Sequence, residues 1–131
     1  MTFRILIVDD DDHVRGVLGR LLERRGYAVH TASGAQSAYA LLGEHTVDAV
    51  LMDLNMPELP GEALFFALLA RWPYLRGRVA VMSGNVAGLD DDLPADVASC
   101  PRLSKPFTFE MLDKVICDIT CTAERKKQNG S

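Results

Sequence analysis

The sequence predicts an α/β fold: five short strands in one parallel sheet with helices on both faces, a (βα)5 three-layer sandwich. Three observations predict it. Short apolar, β-branched runs alternate with segments of helical period five times along the chain, the pattern of successive βα units. The first and third runs, 3–8 and 47–52, are almost unbroken in apolar residues, as strands covered on both faces should be. The 131 residues contain no linker or low-complexity tract, so residues 1–123 read as one domain and 124–131 as a short polar tail, expected to fray.

Strand one is expected over 3–8, where four consecutive aspartates (Asp9 to Asp12) close the apolar run. Val14, Val17, Leu18, Leu21 and Leu22 then recur at the spacing of one helix face. Asp11 or Asp12 is placed to cap that helix and Gly26 to stop it. Strand two follows over 27–31. Ala35, Ala38, Leu41 and Leu42 form a second, shorter helix ending at Gly43. Strand three, 47–52, runs into Asp53. The third helix is expected over 62–71, opening after Pro60 and Gly61 and closing before Pro73. Strand four spans 79–82. The fourth helix, 86–97, is poor, because Gly88, Pro94 and several aspartates interrupt it. A weak fifth strand, 100–103, precedes a sound fifth helix with Leu112, Val115, Ile116 and Ile119 on one face behind a Thr108 cap.

The totals exclude several classes. A formal charge of −4 argues against a general nucleic-acid binder, which carries a basic face. The N-terminus lacks the basic start and long apolar core of a signal peptide. No apolar run approaches the roughly 20 residues that span a bilayer. A cytoplasmic protein with no membrane or nucleic-acid partner is the expectation. Cys100, Cys117 and Cys121 are an odd count with no pair of pairs, so they read as small hydrophobes and not as a disulfide or zinc framework.

Chemistry concentrates where the strands end. In open α/β sheets ligands sit beyond the carboxyl ends of the strands. Those ends carry Asp9 and Asp10, then Asp53, then Ser83 and Gly84, then Lys105 and Pro106. The second strand ends in nothing comparable. Taken singly, a strand-end aspartate is a helix cap or turn former, Ser83 a cap, and Lys105-Pro106 a loop. Taken together they describe a phosphoryl-acceptor site. Clustered carboxylates repel unless a cation joins them, and an all-oxygen site of few protein ligands suits Mg2+. Asp53 is then the candidate nucleophile, with Mg2+ and the Lys105 ammonium offsetting phosphoryl charge and Ser83 bonding a phosphoryl oxygen.

Four motifs in order, Ile7-Val8-Asp9-Asp10, Leu51 to Pro57 with Gly61, Met82-Ser83-Gly84 and Lys105-Pro106-Phe107, resemble the receiver domain of two-component response regulators over residues 4–120. The resemblance implies a flavodoxin-like sheet of order 2-1-3-4-5. It implies that Asp53 takes a phosphoryl group from a phosphohistidine on a histidine kinase or histidine phosphotransfer protein, making the chain a catalyst of its own phosphorylation and dephosphorylation. It also implies that Asp10, Asp53 and the Asn55 carbonyl bind Mg2+ directly and Asp9 largely through water. Ser83 and Lys105 would contact the phosphoryl group, the Lys105-Pro106 bond would be cis, and Asn55 and Asn85 would tune the phosphoaspartate lifetime. The face of the fourth and fifth helices is the candidate surface for a homodimer, and the sequence leaves open whether phosphorylation drives one. One departure stands out: Arg102 occupies the position where receivers carry the aromatic partner of the Ser83 switch. Arg76-Gly77-Arg78 before strand four resembles receivers at the C-terminus of hybrid histidine kinases, so an excised piece and a stand-alone regulator are both consistent with the sequence.

Three other readings compete. A receiver-like interaction module without turnover would account for Arg102 and the broken fourth helix, but every phosphorylation residue is present. A haloacid-dehalogenase phosphatase would use Asp9 and Asp11, but His13 stands where that family has Thr or Val. A flavin-binding flavodoxin lacks its phosphate loop after strand one.

Overall fold

The computed structural model of the protein describes residues 3–54, 61–83, 95–98, 100–104 and 107–129. The elements alternate as β1 (Arg4–Val8), α1 (Asp12–Arg24), β2 (Ala28–Ala32), α2 (Ala35–Glu44), β3 (Ala49–Asp53), α3 (Gly61–Arg71), β4 (Val79–Ser83), α4 (Ala95–Ala98), β5 (Arg102–Ser104) and α5 (Phe109–Asn129). A 3-10 turn, Pro73–Leu75, separates α3 from β4. All neighbouring strands pair in parallel, in the order β2-β1-β3-β4-β5. This is the flavodoxin-like sheet the resemblance implied.

Side-chain alternation along the strands divides the core into two. Leu6, Val8, Val50, Met52 and Val81 point to one face, where they meet Ala38 and Leu42 of α2 and Leu64, Phe65 and Leu68 of α3. Ile5, Ile7, Ala49, Leu51 and Met82 point to the other, against Leu18 and Leu22 of α1 and Leu112, Ile116 and Ile119 of α5. β1 and β3 lie at the centre, and every residue from Ile5 to Val8 and from Ala49 to Met52 is fully buried. The unbroken apolar runs in the sequence follow from this double cover.

Element boundaries sit close to those read from the sequence. Asp11 is the N-cap of α1, its carboxylate accepting from the amides of His13 and Val14. Gly26, in the left-handed region at φ 93°, reverses the chain after α1 into β2, as a C-terminal glycine should. Gly77, at φ 81°, does the same between the 3-10 turn and β4. Thr108 caps α5 through a bond from the Met111 amide. Of the expected fourth helix only Ala95–Ala98 falls among the described residues. α5 runs to Asn129, so residues 124–129 continue the helix where the sequence suggested a frayed tail. Glu, Arg, Lys and Gln there are good helix formers.

Cys100 is half-buried and Cys117 exposed. Burial pushes the Cys100 thiol up to about 11, which leaves it protonated near neutral pH and weakly nucleophilic. Among the described residues no helix is long and apolar enough to cross a membrane.

His30 on β2 stacks on His45, the residue after α2, with ring centroids 4.7 Å apart. Desolvation, the His45 ring and Arg4 all hold the His30 pKa below 6.5. The fold therefore favours the neutral ring. Its contribution to stability is complete above pH 6.5 and is lost as the pH falls through the lowered folded-state value.

Two measurements check this account. Leu51→Ala should cost about 3 kcal/mol in denaturant unfolding, as for a fully buried leucine on a central strand. In an NMR titration the His30 ring should take up its proton below pH 6.5, and His30→Gln should flatten the fall in stability across that range.

Candidate metal and phosphoryl-acceptor site

β1 and β3 deliver the site. Val8 is level with Met52 in the parallel register, so the next residues, Asp9 and Asp53, emerge side by side at the carboxyl edge of the sheet. Asp53 still belongs to β3, level with Met82 of β4, and the Leu54 amide donates to the Met82 carbonyl at 2.9 Å. Asp9 is 0% exposed and Asp53 3%, the two buried carboxylates among the described residues. Asp10 beside them is exposed. Oxygens of Asp9, Asp10 and Asp53 lie within 4.8 Å of one another.

The loop carrying Asp9 and Asp10 is held at many points. The Asp9 amide donates to the Ala32 carbonyl of β2 at 3.1 Å. The Asp9 carboxylate accepts from the Asp11 amide at 2.9 Å, and Asp11 in turn caps α1. Arg15, in the first turns of α1, donates from Nη1 to the Asp9 carbonyl at 2.6 Å and pairs through Nη2 with the Asp12 carboxylate. Sequence reasoning missed Arg15. Its one signal was a basic residue three places after Asp12, a spacing that normally describes a surface ion pair.

Three converging carboxylates make an oxygen-only donor set that a hard divalent cation satisfies and that thiol- or imidazole-seeking metals do not. The chain thus brings together Asp9, Asp10 and Asp53 from the set read in the sequence. Ser83 closes β4 one residue beyond the partner of Asp53 and is level with Ser104 of β5. The Ser83 side chain, and Asn55, Asn85, Lys105 and Pro106 entirely, lie outside the described residues. Arg102 is half-buried on the edge strand, in a cleft with Met111, Lys114 and Asp118 of α5.

The family model described as the response regulator receiver domain matches residues 5–117. The chain belongs to that family. Among curated proteins this receiver is similar to the transcriptional regulatory protein SrrA of Staphylococcus aureus (strain NCTC 8325 / PS 47), with 44% identity over 61 residues, which is 47% of this chain and 25% of SrrA. The chain spans about a quarter of the length of the curated relatives it matches. Among solved structures it is similar to a response regulator receiver domain protein from Clostridium thermocellum, at 27% identity and a TM-score of 0.80, covering 96% of this chain and 98% of that one. The chemotaxis protein CheY4 of Vibrio cholerae shares the fold, at 24% identity and a TM-score of 0.81, over 91% of this chain and 99% of CheY4. This receiver is thus a two-component response regulator domain, and the phosphatase and flavodoxin readings fall. Asp11, which a haloacid-dehalogenase reading needs as its acid, is occupied in capping α1.

Mutual repulsion at the acidic edge has a measurable cost. In cation-free buffer Asp10→Asn should raise the melting temperature by about 4 °C, the shift that roughly 1 kcal/mol gives a domain of this size. Millimolar Mg2+ should raise the melting temperature of the unmodified protein and close the gap between the two.

Proposed function

We propose that this receiver accepts a phosphoryl group on Asp53 from a phosphohistidine of a histidine kinase or histidine phosphotransfer protein, and that the modification alters its conformation or partner binding. The observation that carries the reading is the buried Asp53 carboxylate at the sheet edge, in reach of both Asp9 and Asp10. An Asp53 oxygen attacks phosphorus while the phosphorus–nitrogen bond of the donor breaks. The electron pair returns to the imidazole, which regains a proton from solvent. Asp9, Asp10, Asp53 and the Asn55 carbonyl would hold Mg2+. When bound, that ion offsets charge on the phosphoryl oxygens.

The other roles rest on the family likeness. Ser83 would donate its hydroxyl to a phosphoryl oxygen and Lys105 its ammonium, and the Lys105-Pro106 bond would be cis. Asn55 and Asn85, neutral and two residues past Asp53 and Ser83, would set the lifetime of the acyl phosphate by how they admit water. Arg102 is half-buried on the edge strand and brings a positive charge where receivers carry an aromatic ring. A switch through this position would work by charge and not by an aromatic ring entering a pocket. A cytoplasmic setting fits such a partner, and the face of α4 and α5 is the candidate surface for a homodimer.

Intact-mass measurement tests the proposal. With acetyl phosphate and Mg2+ the protein should gain one alkali-labile phosphoryl group. Asp53→Asn should gain none, and chelation of Mg2+ should abolish labelling of the unmodified chain. Labelling of Asp53→Asn to the same extent, or none of the wild type, would overturn it.

A further inference from the structure

Arg15 is placed oddly for a surface residue. Its side chain is 17% exposed, whereas its ionic partner Asp12 is 90% exposed. An exposed pair one helical turn apart contributes little to stability, and such a pair gives no reason to draw the guanidinium inward. The inward arm reaches the backbone carbonyl of Asp9. That charge-assisted bond is of the strong kind, and it ties the first turns of α1 to the first residue of the acidic loop.

The loop's own chemistry explains what such a tie does. Asp9, Asp10 and Asp53 carry like charges with oxygens within 4.8 Å, and repulsion pushes the exposed Asp10 outward and the β1–α1 loop away from β3. Asp9 is held by its amide to β2, by its carboxylate to the Asp11 amide and by its carbonyl to Arg15. In the first two the partner is a backbone group, the Ala32 carbonyl of β2 and the Asp11 amide of the loop itself. The third comes from a side chain six residues on, anchored in a helix that packs on the sheet through Leu18 and Leu22.

We propose that Arg15 is a positioning residue: it holds the Asp9–Asp10 loop assembled against carboxylate repulsion, so that the divalent cation meets a preformed site. This rests on the reading of Asp9, Asp10 and Asp53 as the cation site. The sign of the effect separates it from simple electrostatics. Removing a positive charge beside a cation site strengthens cation binding if charge is all that matters. Removing a clamp weakens it.

The test is Mn2+ binding followed by electron paramagnetic resonance, with Mg2+ as competitor, at fixed ionic strength. Arg15→Gln, close in size but uncharged, should weaken Mg2+ binding about ten-fold, the lower end of the effect of removing an outer partner of a metal ligand. The Mg2+ needed for half-maximal labelling by acetyl phosphate should rise by the same factor, with the loss falling on the Mg2+ requirement more than on the rate at saturation. Unchanged or tighter binding in a folded Arg15→Gln protein overturns the proposal. Should Arg15→Gln not fold, Arg15→Lys decides. Its single ammonium keeps the charge but cannot reach Asp9 and Asp12 in the same fork, so binding about threefold or more below wild type supports the clamp, and wild-type affinity overturns it. Asp10→Asn is the control. If the wild-type protein binds Mn2+ no better than Asp10→Asn, the cation site itself is wrong and both readings fall. If the wild type binds and Arg15→Gln binds equally, only the clamp fails.

Discussion

Two carboxylates shut away from solvent, Asp9 and Asp53, stand beside a third, Asp10, at one edge of the sheet. Such an arrangement is unfavourable taken alone, since burying charge costs and like charges repel. It persists because the strands beneath allow nothing else. Val8 and Met52 are both fully buried and register-locked. A one-residue slip of either strand would turn its whole apolar set to the wrong face. The two-sided core therefore holds the acidic edge in place, and the energy of apolar packing maintains a site that electrostatics would disperse.

The helices extend the same logic. α1 is capped by Asp11, a neighbour of the site, and it returns Arg15 to the Asp9 carbonyl. Structure and chemistry share a segment of a few residues, so Asp11 and Arg15 serve the fold at the place where Asp9 and Asp10 serve the site. On the opposite face, α2 and α3 supply none of the three clustered carboxylates. Their contribution is the apolar layer around Leu6, Val50 and Met52 that fixes β1 and β3.

Most of this was legible in the residues. Period and alternation give the elements, and the acidic edge follows from where the apolar runs stop. Asp9, Asp10 and Asp53 could be named because a carboxylate closing a buried strand is a sharp chemical break. The strand order came from family likeness, since short parallel runs do not announce their neighbours. Arg15 was hidden for a different reason: sequence spacing matches it to Asp12 on its own helix, and the contact to the Asp9 backbone depends on the angle at which α1 leaves the sheet. The reach of α5 was underestimated because a polar run reads as tail when no apolar stripe marks it, although its residues favour a helix.

Trp72, the single tryptophan, follows α3 and packs on Tyr39 of α2, ring centroids 5.3 Å apart, with Arg71 over its face. α3 leaves the acidic edge and returns to the start of β4, so its 11 residues carry the indole about 16 Å along the helix axis. The natural fluorophore of this domain consequently watches the far pole of the molecule. Its emission is a gauge of global unfolding, and events at the acidic edge are followed more directly by a dye or an isotope placed there on purpose.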